Sequence, residues 1–423
     1  MHEELNTIDE CGNPRGADSM PVDVALRTML GEVAAVEGRE VVALIDAAGR
    51  VLARPIEAPR MVPPYRNSAV DGYAVHGDSR AVERRAAYRL LGTALAGVPY
   101  AGPPVGGGET VRVMTGAPMP PGTNAVVMQE QVEADGETIV VQRTPEAGAN
   151  VRDAGEDMQA GDTVLAAGRW LTPADIGVLA SLGMSEVSVR SRPAVAVLST
   201  GAELKPPGRD LPPGAIYDSN RYALLAAVAR LGVRTHDLGI APDDPDGLVA
   251  RLSAAARSAD VILCSGGASE GDADFVCSAL ASLGRVSLWK IALKPGRPLL
   301  FGHIGRATFF GLPGNPVAAL VTYYWLVKPV IERRMGIVER PLVPLINARC
   351  ETPLRKKPGR MEVQRAVLMP ADDGDYQVAP TGAQGSGMLR SMSLANALIV
   401  LPHDSGPTAA GARVRVLPLS AVI

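Results

Sequence analysis

The alternation of apolar and polar residues changes period along the chain, and these changes predict its elements. From Pro21, the segment VDVALRTMLGEVAAV places apolar side chains at helical spacing, with Pro21 at the first helical position. Short strand-like pieces follow through VLARPIEAP. Farther on, ETVRVMTG, NAVVMQ and TIVVQ have strand composition, and Asp135-Gly136 is typical of a hairpin turn. The N-terminal half is therefore predicted to combine a domain of helices and strands with a small inserted β domain.

The pattern of predicted elements changes near Arg192, where strands begin to alternate with helices. AVAVLST, THDLGI and VILCSGG have the composition of buried strands, and YALLAAVARLG and GLVARLSAAARS between them are helical. VSLWKIAL, PLLFGHI and ATFFGLPG add strands, and NPVAALVTYYWLVKPVIERRM is a long helix. Strands that alternate with helices favour right-handed crossovers and a mostly parallel sheet covered on both faces. After Pro341, LVPLINARC, MEVQRAVLM, ALIVLP and RVRVLP predict a β tail in which Lys and Arg outnumber Asp and Glu.

The predicted fold class is therefore multidomain α/β and β. Its parts are a disordered leader (1–19), a discontinuous N-terminal helix and strand domain (20–66 and 143–191), an inserted β domain (67–142), a central α/β domain with a mostly parallel sheet (192–336), and a C-terminal β-barrel-like domain (337–423).

Composition excludes several classes of protein. A chain of 423 residues exceeds what one simple core organises. A net charge of -3 and 4% aromatic residues disfavour nucleic-acid binding, which needs a basic surface or stacking platforms. No apolar run approaches the roughly 20 residues of a membrane span. With an acidic N-terminus and four scattered cysteines, the expected location is the cytoplasm.

Three loops fall where predicted parallel strands end, which is where open α/β sheets bind ligands. They are STGAEL (199–204), CSGGASEGDAD (264–274) and GLPGNP (311–316). In the last, Asn315 is a natural N-cap and Pro316 is at the first helical position, so a helix N-terminus, which favours anions, points at the same rim. One such loop alone is more often an ordinary turn, but three on one rim predict a binding site.

Charged residues near these loops indicate the chemistry. Lys290 and Lys294 lie four residues apart and, on one strand, would face the same side, with Arg297 beyond the turn. Three cations suit a phosphate or other oxyanion. Glu270, Asp272 and Asp274 follow the glycines, and carboxylates beside an anion favour a hard cation such as Mg²⁺ between them.

Other motifs have simpler interpretations. Taken alone, Asp71 and Thr115 are turn residues, and Arg152 and Asp157 belong to a solvated loop. GASEG matches the GxSxG letters, but the acidic GDAD stands where the helix of a nucleophile elbow would start, so a serine hydrolase is disfavoured. The five histidines form no cluster for zinc, and no GxxxxGK[ST] or GxGxxG phosphate motif is present.

Eight motifs in order carry a resemblance to a known family. They are PPYRNSAVDGYAV, RVMTGAPMPPGTNAVV, NVRDAGEDMQAGD, VLSTGAEL, SGGASEGDAD, LKPGRP, GLPGNPVAA and AQGSGMLRSM. The sequence from about Pro21 to Ile423 resembles the molybdopterin molybdenumtransferase family and is similar to the E domain of gephyrin. The resemblance implies an elongated homodimer of four-domain subunits, with molybdopterin bound by the third, α/β domain. It implies Mg²⁺-dependent insertion of molybdenum from molybdate into adenylylated molybdopterin, with release of AMP.

The resemblance also implies roles for particular residues. Those it places at the catalytic centre are Asp71, Thr115, Asp157, Glu203, Asp243, Asp274, Lys290 and Lys294, with Asp274 and Asp243 as metal ligands. Those assigned to substrate binding are Arg152, Ser265, Gly266, Gly267, Ser269, Gly271, Arg297, Pro313, Gly314, Asn315, Pro316, Arg365 and Ser386. Lys290, Lys294, Arg365 and Ser386 would hold molybdate, and Asp71 and Thr115 would complete the partner subunit's cleft.

Two positions depart from the family pattern, and two other functions remain open. Ala202 stands where the family has an acidic or amide residue, and Glu270 where it has a small or apolar one. The alternatives are a non-catalytic gephyrin-like scaffold and a molybdopterin adenylyltransferase. The retained Asp274, Lys290 and Lys294 disfavour the scaffold, and the additional β domains disfavour the adenylyltransferase. The molybdopterin adenylyltransferase and the chaperones of molybdoenzymes are the expected protein partners.

Overall fold

The computed structural model describes residues 19–81, 85–241, 244–266, 280, 283–338 and 344–421 of the chain. The N-terminal half holds two helices, α1 (Val22–Gly31) and α2 (Pro173–Ser181), and twelve strands. The strands are β1 (Arg39–Ala43), β2 (Ile56–Glu57), β3 (Asn67–Ser68), β4 (Gly72–Val75), β5 (Ala86–Ala94), β6 (Glu109–Val113), β7 (Ala125–Met128), β8 (Val132–Asp135), β9 (Thr138–Val141), β10 (Val151–Arg152), β11 (Thr163–Leu165) and β12 (Glu186–Arg190).

The inserted β region is one six-stranded sheet, in the order β7-β4-β6-β5-β9-β8. The predicted hairpin is confirmed, since β8 and β9 pair antiparallel across Asp135-Gly136 and Gly136 has a φ of 58°. Around this sheet the chain forms two-stranded pairs, β1 with β12, β2 with β11 and β3 with β10. Segments on both sides of the insertion therefore pair with each other.

The central part of the chain is the α/β region. Among its described residues, the helices are α3 (Ser219–Ala229), α4 (Pro245–Ala256) and a long C-terminal helix that runs as Pro316–Thr322, a π-helical turn Tyr323–Val327, and Lys328–Met335. Its strands are β13 (Ala194–Ser199), β14 (Leu204–Lys205), β15 (Ile216–Tyr217), β16 (Arg234–Ile240), β17 (Val261–Ser265), β18 (Gly284–Lys290), β19 (Leu293–Lys294), β20 (Pro298–Ile304) and β21 (Ala307–Leu312).

Six of these strands form the central sheet in the order β16-β13-β17-β21-β20-β18. The first four strands pair in parallel, and the β21–β20 and β20–β18 pairings are antiparallel. Alternate residues of β13 face opposite layers. Val195 and Val197 pack with the core that contains α1 and α3, whereas Ala196 and Leu198 pack with the core that contains α4. The mostly parallel sheet with helices on both faces is therefore confirmed.

Helix boundaries show two departures from the sequence prediction. Helix α1 begins at Val22, so Pro21 is its N-cap and not its first residue. The long helix contains Pro329, which has no N–H for the helical ladder and whose ring crowds the preceding turn. The backbone there takes the wider π-helical turn, and the helix continues.

The C-terminal part closes a barrel. Its strands are β22 (Ile346–Cys350), β23 (Met361–Pro370), β24 (Tyr376–Pro380), β25 (Ala397–Leu401) and β26 (Arg413–Pro418), with a short helix at Leu389–Leu394. The five strands pair in the order β23-β24-β22-β26-β25, and β25 pairs back onto β23. Strand β19 of the α/β region adds in parallel to β23, so the barrel and the α/β region share a sheet.

In the described part of the chain, no helix has the length and apolar character needed to cross a bilayer.

Candidate functional site

The strand ends at which the three predicted loops begin lie side by side at one rim. Strands β13, β17 and β21 are consecutive parallel neighbours and end at Ser199, Ser265 and Leu312. Hydrogen bonds join the loops: the Thr200 N–H donates to the Ser265 carbonyl at 2.9 Å, and the Gly266 N–H donates to the Leu312 carbonyl at 3.2 Å. The rim predicted from the apolar runs and their glycines is confirmed.

Two cavities open at this rim, on either side of Gly314 and Asn315, which line both. The strand-end cavity, of about 360 Å³, lies over β13 and β17. The interdomain cavity, of about 410 Å³, lies between the α/β region and the barrel. Predicted residues that line the first are Glu203, Ser265, Gly266 and Pro316, and those that line the second are Lys294, Arg297, Pro313 and Ser386.

Gly266 lines the strand-end cavity at a point where two backbone segments lie too close together for a side chain. Its φ is +91°, and a Cβ there would lie 2.4 Å from the carbonyl oxygen of Thr200. The carboxylate of Glu203 lies over Gly201, whose added Cβ would be 2.6 Å from Glu203 Oε2. Backbone atoms and the exposed carboxylate of Glu203 therefore lie at the floor of this cavity.

Asn220 was missed by the sequence reasoning and connects the rim. Its Nδ2 donates to Ser265 Oγ and to the Gly314 carbonyl oxygen, both at 2.8 Å. It follows Asp218, whose buried carboxylate caps α3 through the Arg221 N–H and accepts from Ser199 Oγ. The only sequence signal was the Asp-Ser-Asn start of a helix.

The start of the long helix lies at the shared wall, as predicted, with Asn315 as N-cap and Pro316 at the first position. The side chain of Asn315 makes no capping hydrogen bond. The Val317 N–H donates to the Ser386 carbonyl oxygen at 3.0 Å, so one donor of the helix end already holds a barrel loop. The helix end therefore positions Ser386 as well as facing the rim.

The prediction that Lys290 and Lys294 share one face of a strand is wrong. Strand β18 ends at Lys290, and β19 then carries Lys294 into pairing with β23 of the barrel. Lys294 Nζ lies 3.1 Å from Glu362 Oε2 at the interdomain cavity. Lys290 is half-buried and lies outside the described lining of both cavities. The strand with which each segment pairs decides where each ammonium lies, and the four-residue spacing of the two lysines does not.

Arg365, which the resemblance assigns to anion binding, is held by groups of the protein itself. Its side chain is completely buried, and its guanidinium donates to Ser391 Oγ and to the carbonyl oxygens of Gln384 and Gly385, at 3.0–3.1 Å. Burial lowers the pKa of this guanidinium from its ordinary value. Arg365 thus fixes the loop of Gln384, Gly385 and Ser386, which lines the interdomain cavity.

A second group of predicted residues surrounds β3 in the N-terminal half. Both the backbone N–H and the hydroxyl of Thr115 donate to Asp71 Oδ1, at 2.7 and 2.8 Å. The backbone hydrogen bond, with the hydroxyl next, lowers the pKa of the Asp71 carboxyl. Strand β3 pairs with β10, which carries Arg152, and the exposed Asp157 follows that strand. In the described structure these residues line neither rim cavity.

Several predictions concern residues outside the described ranges. Asp243, Asp274, Gly267, Ser269, Gly271 and the departing Glu270 are in this group. Among the described residues, no three His, Cys, Asp or Glu side chains are grouped to hold a metal ion. Cys264, beneath the rim, is a buried free thiol, and burial raises its pKa to about 12, which disfavours the thiolate form.

Comparisons with known proteins agree with this architecture. Three family signatures match in order: the MoeA N-terminal region (domain I and II) over residues 20–183, a probable molybdopterin binding domain over 196–333, and the MoeA C-terminal region (domain IV) over 347–419. A molybdopterin molybdenumtransferase of Haemophilus influenzae is 39% identical over 403 residues, which cover 95% of this chain and 99% of that protein.

More distant relatives share the same extent. A molybdopterin molybdenumtransferase of Nostoc sp. is 36% identical over 388 residues, or 90% of this chain and 88% of that protein. The crystal structure of the molybdopterin biosynthesis moeA protein from Pyrococcus horikoshii OT3 matches with a TM-score of 0.81 at 28% identity, covering 95% of this chain and 100% of that one. The chain belongs to the molybdopterin molybdenumtransferase (MoeA) family.

Proposed function

We propose that the protein inserts molybdenum from molybdate into adenylylated molybdopterin and releases AMP, in a reaction that depends on Mg²⁺. The observation that supports this most directly is the pair of cavities sharing the Gly314-Asn315 wall. The strand-end cavity presents backbone at the end of a strand, which suits a phosphate group. The interdomain cavity presents cations, which suit an oxyanion. Two substrates held on either side of one wall are positioned for transfer between them.

In this proposal each cavity takes one substrate. The phosphate groups of adenylylated molybdopterin approach the backbone at Gly266, and Asn220 fixes the distance between the loops that carry Ser265 and Gly314. Molybdate binds in the interdomain cavity, where Lys294, Arg297 and Ser386 line the wall. Charge-assisted hydrogen bonds from several donors are needed to replace the water around a dianion.

The metal assignment rests mainly on sequence. Asp243 and Asp274 would hold Mg²⁺, and of the described residues Glu203 presents an exposed carboxylate to the strand-end cavity. Bound there, Mg²⁺ would neutralise phosphate charge as the phosphoanhydride breaks. The supply of substrate then falls to a molybdopterin adenylyltransferase, and the product would pass to chaperones of molybdoenzymes.

The test is turnover of purified protein with adenylylated molybdopterin, molybdate and Mg²⁺, followed by AMP release and molybdenum content. We expect wild-type protein to release AMP only when molybdate is present. Because an amide binds Mg²⁺ more weakly than a carboxylate, Asp274→Asn should raise the Mg²⁺ concentration needed by about tenfold. A scaffold would release no AMP, and an adenylyltransferase would consume ATP instead. An unchanged Mg²⁺ requirement in Asp274→Asn would remove the metal assignment.

We also propose a homodimer with a cleft built from both subunits. Asp71, Thr115, Arg152 and Asp157 gather around β3, in a different part of the subunit from the rim cavities. Completion of one subunit's rim by the other's β3 region would bring the two groups together.

Mixed dimers test this arrangement. Asp71→Asn and Lys294→Met should each be inactive alone, and co-expressed subunits should recover about a quarter of wild-type turnover, because half the dimers are mixed and each has one intact cleft. Two Asp71→Asn subunits carrying different tags provide the control for co-expression. Purified heterodimers without activity would show that each cleft is formed within one subunit.

A further inference from the structure

A buried carboxylate stands in the wall of the interdomain cavity, where the sequence had suggested only cations. Glu362 is 6% exposed and lies near the start of β23. Its Oε2 is 3.1 Å from Lys294 Nζ, and its Oε1 accepts from Gln364 Nε2 at 2.9 Å. Lys294 and Glu362 are also register partners of the β19–β23 pair. The backbone therefore holds this ion pair where the α/β region meets the barrel.

The surroundings of Glu362 are strongly cationic. Lys294, Arg297 and Arg360 line the same cavity. Behind it, Lys356 is 4% exposed, and its Nζ donates to the carbonyl oxygens of Lys357, His403 and Ser405. Burial lowers the pKa of the Lys356 ammonium, and the charge of Glu362 opposes that shift. Among the described residues that line the cavity, Glu362 thus carries the only carboxylate, and it lies among several positive groups.

We propose that Glu362 is an internal counter-anion, paired with Lys294 while the cavity holds no oxyanion and displaced from it when an oxyanion binds. An arriving dianion needs the Lys294 ammonium, which is half-exposed and can turn toward the cavity. The dianion is also repelled by the carboxylate beside it. Glu362 therefore sets a moderate affinity, so that the oxyanion can leave the cavity for transfer. This inference rests on the proposed function only in naming molybdate as the oxyanion.

The experiment measures binding of molybdate and of sulfate to folded protein by calorimetry. Glu362→Gln removes the charge while keeping an oxygen for Gln364. Affinity for both dianions should rise roughly tenfold, the order of effect that Coulomb's law gives for removing a unit negative charge from the same cavity as a dianion at the dielectric constant of water. Glu351→Gln removes the same charge from an exposed position of the barrel and should leave both affinities unchanged.

A double-mutant cycle with Lys294→Met tests the pairing itself. Lys294→Met should weaken dianion binding, and Glu362→Gln should tighten it less in that background than in wild type, because no ammonium remains to be released. If Glu362→Gln alone destabilises the fold by removing a charge that favours the Lys356 ammonium, Glu362→Gln is measured in a Lys356→Met background and compared with Lys356→Met alone, so that only the charge of Glu362 differs.

The outcomes separate this inference from the proposed function. Tighter binding of sulfate and molybdate without molybdenum transfer by any variant would support the counter-anion and reject the transferase. Unchanged or weaker binding in folded Glu362→Gln would overturn the counter-anion and make Glu362 a residue that positions Lys294. That result would leave AMP release by wild-type protein unaffected.

Discussion

Gly266→Ala is expected to weaken binding of adenylylated molybdopterin by about a hundredfold, the order of loss expected when one or two hydrogen bonds to a charged phosphate are lost. The φ of +91° disfavours any side chain, and the new Cβ would lie 2.4 Å from the Thr200 carbonyl oxygen. The strand end must shift, and the shift will reach both neighbouring loops through the hydrogen bonds at Thr200 and Leu312. Titration of the variant with the adenylylated pterin measures the effect.

Gly314→Ala is the matched control. Gly314 lines both cavities, yet it is exposed, its φ is outside the left-handed region, and no atom lies within 4 Å of an added Cβ. Its substitution should change pterin affinity by less than about threefold, because an unstrained surface change rarely exceeds about 0.5 kcal/mol. Equal losses in both variants would mean that any side chain at the rim blocks the ligand, and the strained backbone of Gly266 would have no special role.

The rim could be predicted because burial leaves a strong local signature. Strands β13, β17 and β21 are covered on both faces, so each is a continuous apolar run that stops at small or turn-forming residues. The carboxyl ends of parallel strands meet at one edge whatever their order in the sheet. The position of the loops therefore followed from composition alone, whereas the neighbour order β13-β17-β21 came only from the structure.

The fate of individual charged side chains could not be predicted in the same way. Lys294 leaves the sheet of Lys290 because β19 pairs with a strand about 70 residues farther along the chain, a long-range choice that no local pattern records. Glu362 and Gln364 alternate with apolar Met361 and Val363, which signals a strand with one polar face. That alternation does not tell whether the polar face meets solvent, a cavity or another cation.

Arg365 is the clearest example of a charged side chain whose role could not be predicted from the sequence. In sequence it is a cation within the apolar strand MEVQRAVLM, equally suited to binding an anion or to supporting the fold. In the structure its guanidinium donates to the carbonyl oxygens of residues 383–385 and to Ser391 Oγ, and its side chain is fully buried. Ser386, next along that loop, lines the cavity and accepts from the start of the long helix through its own carbonyl. The structure therefore gives Arg365 the support of the loop and Ser386 a place in the cavity wall.

Replacing Arg365 should consequently affect stability before it affects chemistry. We expect Arg365→Met to lower the free energy of unfolding by about 3–5 kcal/mol, because the several charge-assisted hydrogen bonds of a fully buried guanidinium are lost and the loop carbonyls lose their donor. Arg365→Lys should recover only part of this, since an ammonium cannot span the carbonyls as the planar guanidinium does. Chemical denaturation followed by far-UV circular dichroism measures these changes in the free protein.

Ser386→Ala is the paired variant, and it should lower molybdate affinity without lowering the stability of the fold. The substitution removes a hydroxyl from the cavity wall but keeps the backbone carbonyl that accepts from Val317, so stability should change by less than about 0.5 kcal/mol. Molybdate affinity should fall roughly tenfold, the loss of one hydrogen bond to a charged group. If Arg365→Met instead kept wild-type stability and lost molybdate binding, the guanidinium would have to leave its carbonyl partners and contact the anion directly. The positioning role given to Arg365 would then be wrong, because a residue that only holds a loop cannot be removed without loosening it.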